Sequence, residues 1–153
     1  MRIVLQRVSR ASVTVDGAVV GAIGPGVLLL VGVGEGDDSA VAARMASKVA
    51  RLRIFPGDDR GFDRTLGDVG GAALVVSQFT LLGDTRRGNR PSWSGAASPE
   101  VAAPVVEAVA QALEAQGVPV SRGRFGAMMD VELLNDGPVT LVLDSADRAE
   151  GRP

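Results

Sequence analysis

Apolar residues fall in short runs separated by glycine-rich punctuation, and the period of the runs changes along the chain. Residues 2–8 and 12–15 are rich in Val and Ile and read as strand. Asp16-Gly17 then supplies a turn before Ala18 to Ile23 resumes the apolar pattern, which predicts a hairpin. Gly24-Pro25-Gly26 precedes Val27-Leu28-Leu29-Leu30-Val31, a continuous apolar run of the kind expected for a central strand covered on both faces. Asp38 or Ser39 can cap a helix whose apolar positions Val41, Met45, Val49 and Leu52 recur at helical spacing.

The stretch from Pro56 to Gly71 lacks periodicity and reads as loop, after which Ala72 to Phe79 forms a second buried strand. Ser98-Pro99-Glu100 combines a capping hydroxyl, a proline at the first helical position and an acid at the positive end of the dipole, with Gly117 placed to end the helix. Two last strands, about Ala127 to Leu134 and Val139 to Leu143, flank Asn135-Asp136-Gly137-Pro138, and Ser145 to Pro153 is a polar tail. The order ββ, β, α, β, α, ββ predicts an α/β fold in which one mixed sheet is layered with two main helices. We therefore expect one domain over residues 1–144 and a C-terminal tail over 145–153.

Composition narrows the chemistry. At 153 residues and 46% hydrophobic content the chain can bury one real core. Cysteine, histidine and tyrosine are all absent, which removes disulfides, thiolate and imidazole ligands, a cysteine nucleophile and the Ser-His-Asp triad. Hydrolysis would have to come from hydroxyls, carboxylates, arginines, the single lysine Lys48, backbone dipoles or the substrate. A net charge of −2 gives no global attraction to nucleic acid, so RNA would need a local arginine patch. The longest apolar run, Val27 to Val33, is too short to span a bilayer, and a soluble, intracellular protein is expected.

Three segments can carry chemistry. The apolar run ending at Val76 stops at Ser77-Gln78-Phe79-Thr80, a polar strand end where sites are often built, although an ordinary strand exit gives the same pattern. Arg86, Arg87 and Arg90 lie in a basic loop that also carries the only tryptophan, Trp93; they can contact phosphates or pair with nearby acids. In Asn135-Asp136-Gly137-Pro138 the first three residues are a hairpin signal, while the proline removes a ladder donor and its peptide bond can be cis or trans. Rigid carbonyls there can form a steric gate, or the segment is a structural turn. Arg7, among apolar neighbours in the first strand, either faces outward or donates to backbone carbonyls.

Taken in order, Met1-Arg2-Ile3-Val4-Leu5-Gln6-Arg7-Val8, Arg10-Ala11-Ser12-Val13, Arg53-Ile54-Phe55, Ser77-Gln78-Phe79-Thr80, Arg90-Pro91-Ser92, Ala97-Ser98-Pro99, Gly123-Arg124-Phe125-Gly126-Ala127-Met128-Met129 and Asn135-Asp136-Gly137-Pro138-Val139-Thr140 resemble the D-aminoacyl-tRNA deacylase family over roughly residues 1–144. The resemblance implies barrel-like layering of the sheet and a cytoplasmic homodimer that hydrolyses D-aminoacyl-tRNA, with glycyl-tRNA(Ala) as a second substrate and neither cofactor nor metal. It implies that Gly137 and a cis Pro138 reach into the partner's pocket and reject L-residues, with Arg7 orienting them. Ser77, Gln78, Ala97 and Met129 would then bind the aminoacyl-adenosine. Main-chain N–H groups of Phe79 and Thr80 would stabilise the oxyanion while water attacks and the ribose 2′-hydroxyl assists; Thr80 as nucleophile is the alternative, and it lacks an identifiable base. The sequence departs from the family at Gly61-Phe62-Asp63-Arg64-Thr65-Leu66, where a Met-Asn pair is common. Rival readings are a noncatalytic tRNA-binding dimer anchored by the arginine loop and an esterase of small molecules.

Overall fold

A computed structural model describes residues 1–59 and 61–147; the part of the expected tail from 148 to 153 lies outside the described residues. The chain runs β1 (Arg2–Val15), β2 (Ala18–Ile23), β3 (Gly26–Gly32), α1 (Ser39–Arg51), β4 (Phe55–Pro56), β5 (Phe62–Arg64), β6 (Ala72–Ser77), a 3-10 turn (Phe79–Leu82), α2 (Pro99–Glu114), β7 (Val120–Arg122) and β8 (Asp130–Asp144). The expected α/β class, with one mixed sheet and two helices, is what the chain adopts.

The sheet is organised by β1. One side of it pairs with β8 over Arg2 to Thr14. The other side pairs first with β3, then beyond Val8 with β2, across the Asp16-Gly17 turn in which both residues have positive φ. The path continues β3 to β6 to β7, both parallel pairings, bridged by crossovers that contain α1 and α2. At the far end β7 closes back toward β2: the Ser121 hydroxyl donates to the Ala22 carbonyl at 2.9 Å, and a side chain on Gly21 would collide with the Arg122 carbonyl. The sheet is thus a nearly closed barrel.

This closure gives the sheet two apolar faces. Ile3, Leu5, Val27, Leu29, Val31 and Val75 face α1 and α2, while Val8, Val13, Leu28, Leu74 and Val76 fill the barrel interior. In β1 the inward rows change over: Ile3, Leu5 and Arg7 share one face, and after an irregularity in pairing between Val8 and Arg10 the row Ala11, Val13, Val15 faces the other. A single-residue shift of register reverses every following side chain, so one strand serves both cores. The helices follow local rules. The Asp38 carboxylate accepts the Val41 N–H at the start of α1, whereas Ser98 opens α2 without a side-chain cap and with Pro99 in the first turn. Among the described residues no helix is long and apolar enough to cross a membrane.

Three expectations need correction. Residues 2–8 and 12–15 form one strand, not two. The loop from 56 to 71 contains half of a small ribbon in which Phe55 pairs with Arg64 and Pro56 with Phe62. The Asn135-Asp136-Gly137-Pro138 segment is not a hairpin: the chain continues in one direction, with 130–135 pairing to 8–14 and 140–144 to 2–6. Four residues, 136–139, stand opposite Arg7 alone, so the turn-forming composition makes a wide bulge in the middle of β8.

At the closing seam Arg122 bridges Glu107 (2.9 Å) and Glu114 (2.8 Å) of α2. Hydrogen bonds from the Arg122 guanidinium hold both carboxyls below their ordinary value of 4.5. Groups depressed in this way stabilise the fold fully above the unfolded carboxylate range and lose that contribution as pH falls through the folded values. Arg122→Gln is therefore expected to lower the Tm by roughly 2–4 °C at neutral pH, by breaking a partly exposed network. Thermal melts at falling pH should show the gap to the unaltered chain closing once both glutamates are protonated; a gap that persists in acid would rule out the ion pairs as its source.

Candidate functional site

The strand β6 leaves the sheet at Ser77, and the chain is caught at once by backbone: the Gln78 N–H donates to the Val31 carbonyl at 2.8 Å. From the other side the Ala97 N–H donates to the Val33 carbonyl at 2.9 Å. The Val31 carbonyl at the end of β3 and the Val33 carbonyl just past it thus hold Gln78 and Ala97, which brings together segments about twenty residues apart in sequence. Gly32 permits this approach, since a side chain there would lie 2.4 Å from Leu82 and 3.0 Å from the Gln78 carbonyl. Arg2 ties the turn down from the first strand, donating to the Leu81 carbonyl at 2.7 Å while its Nε and Nη2 hold Asp144.

Phe79 and Thr80 open the 3-10 turn. The first N–H groups of such a turn have no partner within it, and Gln78 at its start provides no side-chain cap. The Gln78 amide instead donates to the Thr80 hydroxyl oxygen. Phe79 is 59% exposed and meets Trp93 edge-on at 5.7 Å between ring centres, so the turn presents polar donors beside an aromatic wall. Under the same strand end lies a cavity of about 110 Å³ lined by Val75, Ser77, Ala103, Glu107, Arg122 and Phe125. Met129 does not join that lining; it packs against the barrel-interior core, close over Gly123.

The three arginines of the basic loop are not equivalent. Arg86 is engaged by Asp84, with Nε at 2.9 Å from Oδ1 and Nη2 at 2.7 Å from Oδ2, and these bonds hold the Asp84 carboxyl down to about 2. Arg87 and Arg90 are exposed, the loop's two cations left without an ion pair among the described residues.

Arg7 donates inward. Although it occupies a position in the row of Ile3 and Leu5, it is 5% exposed, and Nη1 donates to the Ile54 carbonyl at 2.5 Å. Its Nε reaches both the Asp136 carbonyl (3.2 Å) and the Asp136 carboxylate (3.1 Å). Its guanidinium lies against the Cα of Gly137, where an added side chain would come within 2.5 Å of Nη2. Asn135 holds the base of the bulge, donating to the Arg7 and Val139 carbonyls at 2.9 and 3.1 Å. Gly137 and Pro138 stand exposed on this support, joined by a cis peptide bond. Asn135, Asp136 and Ile54 were not singled out from sequence as site residues; the first two lie inside the quoted motif, but Ile54 acts through its carbonyl, which no side-chain pattern reveals.

The bulge and the turn lie far apart within one chain. Ile3, Val31 and Ser77 share a level of the sheet, and Arg7, Val27 and Ala73 share another four residues along. Pro138, opposite Arg7, is therefore displaced from Ser77 by roughly 13 Å along the strands and about 14 Å across three strand spacings. The structure does not bring Gly137-Pro138 onto Ser77 to Thr80 of the same chain.

The chain is similar to known proteins over nearly its whole length. The family described as D-Tyr-tRNA(Tyr) deacylase matches residues 4–144. The D-aminoacyl-tRNA deacylase of Roseiflexus castenholzii is 62% identical over 152 residues, covering 99% of this chain and 97% of that protein. Among solved structures, one titled c-Myc DNA Unwinding Element Binding Protein superposes with a TM-score of 0.88 at 36% identity, covering 94% of this chain and 98% of that one. A probable eukaryotic D-amino acid tRNA deacylase shares the fold at a TM-score of 0.76 and 16% identity, over 93% and 97% of the two chains. On the match over residues 4–144 and the near full-length identity, this chain belongs to the D-Tyr-tRNA(Tyr) deacylase family.

Proposed function

We propose that the protein hydrolyses the ester of D-aminoacyl-tRNA, and of glycyl-tRNA(Ala), in the cytoplasm as a homodimer whose Gly137-Pro138 bulge completes the partner's site. Family membership supports the reaction, and the observation that carries the dimer is the separation of bulge from turn within one chain. Two elements that serve one substrate yet lie on distant levels of the sheet are joined most simply by a second copy related by symmetry.

On this reading the aminoacyl group lies between Ser77, Gln78 and Ala97, with Met129 beyond the Gly123 segment. Water attacks the ester carbonyl, the Phe79 and Thr80 N–H groups hold the developing oxyanion, and the C–O bond to the ribose breaks with its oxygen taking a proton, assisted by the 2′-hydroxyl. A threonine nucleophile would need a base beside it. The Thr80 hydroxyl oxygen instead accepts from Gln78, which supports a positioning role. The carbonyls of Gly137 and Pro138, on a bulge that Arg7 holds through Asp136, would exclude the side chain of an L-residue; glycine has none to exclude, which is why it is admitted.

Thr80→Ala should lower kcat less than about tenfold, whereas abolition in a folded protein would restore the nucleophile. Gly137→Ala forces Arg7 and the bulge apart, and single-turnover assays should show the preference for D- over L-aminoacyl-tRNA falling at least about tenfold. An unchanged preference would refute the gate. Mixing chains altered at Gly137 with an excess of chains inactivated in the turn should restore the D-over-L preference, since the one working turn in each heterodimer then meets an unaltered bulge; no restoration would place bulge and turn in separate functions. Replacing Arg87 and Arg90 by Ala should flatten the dependence of log affinity on log salt by roughly one unit per arginine lost from a phosphate contact. Salt-sensitive binding without turnover of any charged tRNA would favour the noncatalytic reading.

A further inference from the structure

We infer that Phe62 is a positioning residue for chiral selection: it holds the Arg7 guanidinium from its exposed side and, through Arg7, fixes the 136–138 bulge. The inference rests on the proposed role of that bulge. The ribbon β4–β5 folds beside β1 so that the guanidinium carbon of Arg7 lies over two aromatic rings, 6.0 Å from the centre of Phe55 and 5.6 Å from that of Phe62. Phe55 is buried and belongs to the core under the helices. Phe62 is 58% exposed and contributes to neither core cluster, so packing alone does not account for an aromatic there.

Arg7 has three kinds of restraint. The Ile54 carbonyl fixes one nitrogen, Asp136 fixes another, and the rings bound the guanidinium plane. Asp136 belongs to the bulge itself, so it moves with what it is meant to position. The Ile54 carbonyl is a single point about which the planar group can tilt. An aromatic face against the plane removes that freedom, because the ring quadrupole attracts a cation and its edge sterically limits rotation. The ribbon that carries Ile54, Phe55 and Phe62 is itself short and ordered by its own bonds, Ile54 N–H to the Arg64 carbonyl at 3.2 Å and Gly57 N–H to the Gly61 carbonyl at 2.9 Å. The segment in which this sequence leaves the family's usual Met-Asn pair is thereby drawn into support of the selectivity element.

The test compares Phe62→Leu, which keeps apolar bulk without the ring face, with Phe62→Tyr, which keeps the face. The readout is the ratio of kcat/KM for D- and L-aminoacyl-tRNA, with thermal melts as the check on folding. Phe62→Leu is expected to lower the D/L ratio about threefold, Phe62→Tyr to restore it, and Phe62→Leu to add nothing once Arg7→Lys has been introduced. Equal ratios for Phe62→Leu and the unaltered chain, while Arg7→Lys alone changes the ratio, would overturn the inference and leave the bulge reading standing. A ratio lowered equally by Leu and Tyr would overturn it as well, because the ring face would then be irrelevant. If Arg7→Lys also leaves the ratio unchanged, the bulge reading itself fails and the inference with it.

Discussion

A guanidinium buried in a row of core side chains is the constraint around which this structure is arranged. Arg7 points where Ile3 and Leu5 point, toward the apolar layer under the helices, and a cation there costs several kcal/mol unless its donors are met. The means of meeting them decide the local fold. One donor takes a carbonyl from the ribbon after α1, and Nε is shared between the main-chain carbonyl and one carboxylate oxygen of Asp136, which sits on the bulge that β8 forms at that level. The residue after Asp136 then passes so close to the guanidinium that only glycine leaves room. Among the described residues no buried side-chain nitrogen or oxygen lacks a partner.

The bulge also explains how a flat-sided strand can build a nearly closed barrel. Because β1 changes face beyond Val8, its first half belongs to the layer beneath α1 and α2 and its second half to the barrel interior. β8 follows β1 along its whole length, so the irregularities in the two strands are matched: four residues of β8 oppose Arg7, and β1 in turn carries an extra residue at Ser9. What results is a sheet with two separated levels, the strand ends near Ser77 and the mid-strand bulge near Arg7. That separation is set by core packing, and on the proposed reading it assigns the two levels to different subunits.

Much of this was legible in the sequence, and the part that was not has a common cause. The strands β2, β3 and β6, both helices and the Asp16-Gly17 hairpin follow from local period and turn chemistry. The tetrapeptide Asn135-Asp136-Gly137-Pro138 misled because the same chemistry that closes a hairpin also makes a bulge, and the choice lies with β1, more than a hundred residues away. Arg7 was ambiguous for the same reason: a period-two row places it inward, charge places it outward, and only the distant Ile54 and Asp136 decide. β7 is three residues long, too short to carry a period. Arg86 looked equal to Arg87 and Arg90 because its partner Asp84 lies at the loop's own edge, where the backbone conformation determines whether the two can meet.

On the proposed reading, the absence of histidine makes the rigidity of the turn after β6 the central question for catalysis. Backbone donors gain catalytic value only when their direction is fixed before charge develops, since reorienting them during reaction would cost what their hydrogen bonds return. Here the direction of the Phe79 and Thr80 N–H groups is set by residues that do not touch the proposed reacting atoms: Gly32, which lets the turn lie on the sheet; Arg2, which holds the Leu81 carbonyl; and Gln78, whose N–H is fastened to Val31. Arg2 in turn is held by Asp144 at the end of the same strand that carries the bulge. On the proposed reading, β8 therefore supports both halves of the reaction, bracing the oxyanion turn of its own subunit at one end and presenting the selective carbonyls to its partner from its middle.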